Sequence, residues 1–96
     1  MSDWFVYLIR CHNDSLYAGI CVDLERRLSE HRSGGPKSAK YLRGKGPLEL
    51  VFSYPAPDRS VASKWEYQLK RLPKQTKEQL IRGVLDPRDV LILKTE

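Results

Sequence analysis

The stretch SLYAGICVDLERRLSEH, residues 15–31, changes its period halfway along. LYAGI (16–20) reads as a short strand, apolar and carrying an aromatic and a β-branched residue. From Asp23 onward the apolar spacing is helical. Asp23 is a good N-cap, Leu24 and Leu28 set one face, and the helix 23–32 stops at SGGP (33–36). Tyr17 therefore sits on a strand that feeds a helix bearing Arg27 and His31 one turn apart. Both flank the Leu24–Leu28 stripe, at the border of the buried face and away from the fully solvated side.

Upstream, WFVYLIRC (4–11) is an apolar run rich in aromatic and β-branched residues, so it reads as a buried strand. HNDS (12–15) is turn chemistry, and the two strands make a hairpin. In that hairpin Cys11 lies beside the turn and Cys21 at the far end near Phe5, too far apart to bridge. Free thiols fit a reducing compartment. Downstream, residues 37–43 read as a short helix with Ala39 and Leu42 inward, and LELVFSYP (48–55) as a third strand. Asp58 or Ser60 caps a longer helix whose apolar face is Val61, Trp65, Leu69 and Leu72. TKEQ (76–79) resembles a capping box for a last short helix closed by Gly83. DPRDVLILKTE (86–96) is a candidate edge strand.

The order β-β-α-(α)-β-α-(α) lacks regular βαβ alternation. It predicts an α+β fold, a small three-stranded antiparallel sheet flanked by helices. Ninety-six residues make one domain, taken as 1–83, with 84–96 a tail packing on it or trailing from it. No apolar run approaches the roughly 20 residues of a membrane span, and the N-terminus shows no secretory signal. The expectation is a cytoplasmic monomer with no membrane partner. Two cysteines and two histidines at these spacings do not suit structural zinc.

The net charge of +5 is unevenly placed. Arg26, Arg27, Arg32, Lys37, Lys40, Arg43 and Lys45 face a single acid, Glu30, within twenty residues. Such a cluster is the footprint of a polyanion binder. Tyr41 and the glycines at 34, 35, 44 and 46 make the segment suited to phosphates. Arg26, Arg32, Lys37, Lys40, Arg43 and Lys45 are the expected nucleic-acid-binding residues. Glu66, beside Trp65 and one turn from Ala62 and Leu69, falls at the edge of a buried helix face. Each candidate also has an ordinary explanation. Arg27 suits a surface ion pair, His31 a helix C-terminus, Glu66 an i,i+4 pair with Lys70, and Tyr7 and Tyr17 cross-strand packing.

Taken together, VYL (6–8), YAG (17–19), the Arg27–His31 helix and a later Glu66 resemble the GIY-YIG nuclease superfamily. VYLIRC, SLYAGI, DLERRLSEH, AKYLRGKGPLELV and ASKWEYQLKRL resemble its small, stand-alone bacterial YhbQ-like group, related to the nuclease domain of Slx-type structure-selective endonucleases. The resemblance spans about residues 4–82; the first motif lacks the family's glycine, and Ala18 replaces a larger aliphatic residue. It implies a metal-dependent endonuclease acting on DNA, structured or damaged, in repair or recombination, with RNA as a further substrate class and a partner protein for targeting. The alternative is a nucleic-acid-binding module of the same fold with little or no catalysis. By resemblance, Tyr7, Tyr17, Arg27 and His31 are catalytic, Glu66 holds Mg²⁺ or Mn²⁺, and Gly19 allows a close approach to the backbone. Tyr17 is assigned as general base and Tyr7 as the group orienting water, roles open to exchange. His31 either relays a proton from the base tyrosine or fixes it by a hydrogen bond.

Overall fold

WFVYLIRC is apolar on both faces because its strand is the middle one. In the computed structural model, which describes residues 3–91, β1 (Trp4–Arg10) lies between β2 (Leu16–Cys21) and β3 (Glu49–Ala56). Both pairings are antiparallel, with a bulge in the β1–β3 ladder between Leu8 and Ile9. Val6 and Leu8 point to one face and Tyr7 and Ile9 to the other, and all four are at most 2% exposed. The sheet is thus covered on both sides.

Helices α2 (Arg59–Arg71) and α3 (Lys74–Arg82) cover the Val6 and Leu8 face through Ala62, Trp65, Leu69 and Leu80. Helix α1 (Leu24–Ser33) and the segment after it cover the Tyr7 and Ile9 face, with Cys21, Leu42 and Leu48 buried there. Each fully buried leucine contributes roughly 1.5–3 kcal/mol. Asp23 caps α1 through the Arg26 N–H (3.1 Å), and Asp58, not Ser60, caps α2 through the Val61 N–H (2.9 Å). Gly34, at φ 69°, ends α1 with its N–H on the His31 carbonyl. Cys21 pairs with Phe5 in the ladder, and Cys11 and Cys21 are buried free thiols.

Three expected elements differ. The helix over 37–43 is only a 3₁₀ turn, Lys40–Leu42. The preceding residues give their donors to α1 instead: the Ser38 hydroxyl to the His31 carbonyl (3.2 Å) and the Ala39 N–H to His31 Nδ1 (3.3 Å). The capping box TKEQ is not used, because α3 starts at Lys74 behind Pro73, and Thr76 lies inside the helix. Glu78 instead takes Arg10 in a two-pronged ion pair, both bonds 2.7 Å. Arg10 also meets Asp14, and Lys74 bonds the Asp14 carboxylate and carbonyl, so the hairpin turn is fastened to α3. Residues 86–91 form a 3₁₀ turn, Pro87–Asp89, in place of a strand; the rest of that expected strand lies outside the described residues. Leu91 is buried in the α2–α3 core, with Leu85 and Val90 against it.

Candidate active site

Strand alternation puts Tyr7, Tyr17 and Gly19 on the α1 face. Tyr7 lies directly across the ladder from Gly19, and Tyr17 across from Ile9. The Tyr7 ring lies over Gly19: a Cβ there would stand 2.5 Å from Tyr7 Oη and 2.6 Å from Cζ. The close approach at Gly19 is therefore made by a phenol of the same chain.

His31 completes the Leu24–Leu28 stripe and is the buried residue of α1, 1% exposed. Its Nδ1 accepts the Ala39 N–H, so the neutral ring carries its proton on Nε2. That N–H donates to Tyr7 Oη at 3.0 Å. Burial and the nearby Arg27 charge push the His31 pKa down to about 4, so the ring is neutral at pH 7. A charged histidine at a helix C-terminus is not what the fold uses. Burial pushes the Tyr7 phenol up to about 12, although Arg27 beside it acts in the opposite direction. Burial thus keeps Tyr7 a phenol at pH 7, and His31 fixes its ring through the Nε2–H bond.

Tyr17 is half-buried. It meets the His31 ring edge-on (centroids 5.8 Å, 72°) and stacks on Tyr41 (5.8 Å, 20°). Arg27 is fixed by two bonds from one nitrogen, to Glu30 (2.9 Å) and to the Lys37 carbonyl (2.8 Å). The structure thus gathers Tyr7, Tyr17, Arg27 and His31 around one strand-to-helix junction.

The other expected residues are more scattered. Glu66 stands on α2, which packs on the opposite face of the sheet, and its carboxylate pairs with Lys70 at 3.5 Å. Lys70 and Tyr17 line one groove, which is the link between Glu66 and the cluster. In the basic segment, Arg32 gives two N–H bonds to the Leu48 carbonyl (3.2 and 3.0 Å) and Arg43 one to Gly35 (3.3 Å). Arg26 pairs with Glu30 at 3.3 Å, and Lys45 sits 3.9 Å over the Tyr41 ring. Lys37 and Lys40 are exposed. Part of the basic segment therefore shapes the loop. The sequence reading missed Ser38 and Ala39, whose bonds to His31 cross the loop and leave no periodic signal, and Lys77 of the groove; it named Lys70 only as the partner of Glu66.

The GIY-YIG catalytic domain model matches residues 3–79. A UPF0213 protein of Cronobacter sakazakii is 54% identical over 85 residues, covering 88% of this chain and 87% of the relative. The UPF0213 protein YhbQ of Escherichia coli K12 is 54% identical over 81 residues, covering 84% and 79%. The solution NMR structure of a UPF0213 protein from Bacillus halodurans aligns with TM-score 0.53 and 41% identity over 84% of each chain. That of an E. faecalis protein aligns with TM-score 0.59 and 32% identity over 88% of each. The chain belongs to the GIY-YIG catalytic domain family and, within it, to the UPF0213 group.

Proposed function

We propose that this chain is a metal-dependent endonuclease that hydrolyses phosphodiester bonds in DNA, structured or damaged, in repair or recombination. The observation that carries the reading is the junction itself. A phenol held by a buried neutral histidine, a second tyrosine and a fixed guanidinium meet beside a basic segment. Arg27 offers the phosphate a planar, permanently charged fork, already oriented by Glu30 and the Lys37 carbonyl. Tyr7 accepts the His31 proton bond, so its own O–H points elsewhere and orients the attacking water. Tyr17, the more accessible of the two, takes the water's proton as general base. His31 sets the position of Tyr7. Lys37 and Lys40 draw in the backbone by charge, with Arg26, Arg32, Arg43 and Lys45 around them, and no base-reading motif is involved.

Among the described residues no three His, Cys, Asp or Glu form a metal cluster. Glu66 alone fits a hard cation that takes one carboxylate and fills its shell with water and substrate phosphate, as Mg²⁺ and Mn²⁺ sites do. Such a cation supplies charge to the phosphate and to the departing oxygen. We place the protein in the cytoplasm as a monomer, where two buried free thiols stay reduced. No described helix is long and apolar enough to cross a membrane.

The position of Glu66 on α2 favours a second reading, a binding module of this fold with weak or no catalysis. Nicking of supercoiled plasmid in Mg²⁺ or Mn²⁺ separates the two. The nuclease reading predicts metal-dependent nicking that Glu66→Ala abolishes while DNA affinity is kept. No nicking by the native protein supports the binding module, and full nicking by Glu66→Ala removes Glu66 from the mechanism.

A further inference from the structure

Strand β2 is an edge of the sheet, and a groove of about 320 Å³ runs beside it. Tyr17 and Tyr41 line it together with Lys70 of α2 and Lys77 of α3. Tyr41 stacks on Tyr17, and Lys70 pairs with Glu66 at 3.5 Å and can exchange that exposed pair for a phosphate.

We propose that this groove seats an unpaired segment of a nucleic-acid strand, with one base stacked on Tyr41 and the adjoining phosphates on Lys70 and Lys77. The proposal deepens the nuclease reading and rests on it for the class of ligand. Tyr41 is a large aromatic, 44% exposed, in a polar loop. Its ring is not loose, because Tyr17 stacks against it and Leu42 beside it is buried. A fixed, exposed ring is a pre-organised stacking platform. The Lys45 ammonium stands 3.9 Å over the ring centroid, a half-exposed side chain that can swing away. An arriving base takes that place, and the ammonium moves to the base's own phosphate. Aromatic rings and cations in one groove are the combination that suits single strands.

A duplex cannot use this seat. Its internal bases are stacked on each other and present no free face, and its terminal bases are held in pairs too wide for one ring. Tyr17 forms part of the groove wall and is also the assigned general base, so the scissile bond lies next to the unpaired nucleotides. The seat therefore selects strands that leave a duplex, and it does so without reading sequence.

The test is fluorescence anisotropy in EDTA, which removes hydrolysis from the readout. The ligands are short labelled oligo(dT), oligo(rU) as its RNA counterpart, and a blunt duplex. Tyr41→Ala should weaken single-strand binding about fivefold to a hundredfold, the range for a lost base–aromatic stack. Duplex binding and the melting temperature should stay unchanged. Tyr41→Phe should keep the native affinity. Lys77→Gln should flatten the single-strand salt slope by about 0.7. Native single-strand affinity in Tyr41→Ala, or an equal loss on the duplex, overturns the proposal. Failure of the nuclease reading looks different: single strands bind through Tyr41, yet nothing is cut when metal is restored.

Discussion

Tyr7 occupies the space that a side chain on Gly19 would need. The two residues face each other across the β1–β2 ladder, and a Cβ on Gly19 would overlap the phenol at 2.5 Å. The glycine of the second strand motif and the tyrosine of the first are thus one packing unit.

Gly19→Ala should then destabilise the fold by about 1–3 kcal/mol, the usual cost of overfilling a packed site. It should also displace the Tyr7 hydroxyl from His31 and lower cleavage. Urea unfolding and a cleavage assay check both. An alanine variant of native stability would show that the ring moves aside freely.

Removing the Tyr7 hydroxyl leaves the buried His31 Nε2–H without its acceptor. Tyr7→Phe should cost about 1–3 kcal/mol, the penalty for an unsatisfied buried donor. Tyr17→Phe, at a half-buried ring with no such bond, should stay within about 0.5 kcal/mol. Equal stability of the two variants would contradict the assigned proton position on His31.

Stability should fall between pH 6.5 and about 4. The folded His31 pKa, about 4, lies below its ordinary value of 6.5, so the unfolded chain binds the extra proton in that interval. The contribution is fully present above pH 6.5 and is lost as pH falls through the interval, at most about 3 kcal/mol in all. The carboxylates held low by cationic partners, Glu30 and Glu78 among them, titrate below the ordinary Glu value of 4.5, so their loss comes at lower pH. His31→Gln should remove the slope above pH 4.5. A native-like slope in that variant would assign it to another group.

Lys37, whose carbonyl holds Arg27, and Lys40 are both exposed. Reversing both to glutamate should weaken binding of all DNA sequences alike. The native log–log salt slope should be roughly −2 to −4, for three or four phosphate contacts. A loss confined to one sequence would contradict recognition of the backbone.

Features whose bonding is local were readable from the sequence. Asp23 and Asp58 cap the helices they precede, and the unbroken apolar run of β1 signals a strand covered on both faces. Features settled by distant partners were not. The TKEQ box is locally sound, but Pro73 starts the helix earlier and Glu78 serves Arg10, 68 residues away. The 37–43 segment has helical spacing, but Ser38 and Ala39 are bound to His31. The same holds at the site. Tyr17, Arg27 and His31 could be placed at one junction from strand and helix periods, and Tyr7 joined them through the family resemblance. The pairing of His31 with Tyr7, and its proton position, depend on an N–H from the following loop.

The nuclease reading stands or falls with Tyr17 as the base in phosphodiester hydrolysis. The decisive measurement is single-turnover cleavage of a labelled branched duplex at saturating protein in Mg²⁺, native against Tyr17→Phe. Tyr17→Phe should keep the native melting temperature and cut the rate about a hundredfold or more, the span for a lost acid–base group. Native rates in a folded Tyr17→Phe variant would contradict it.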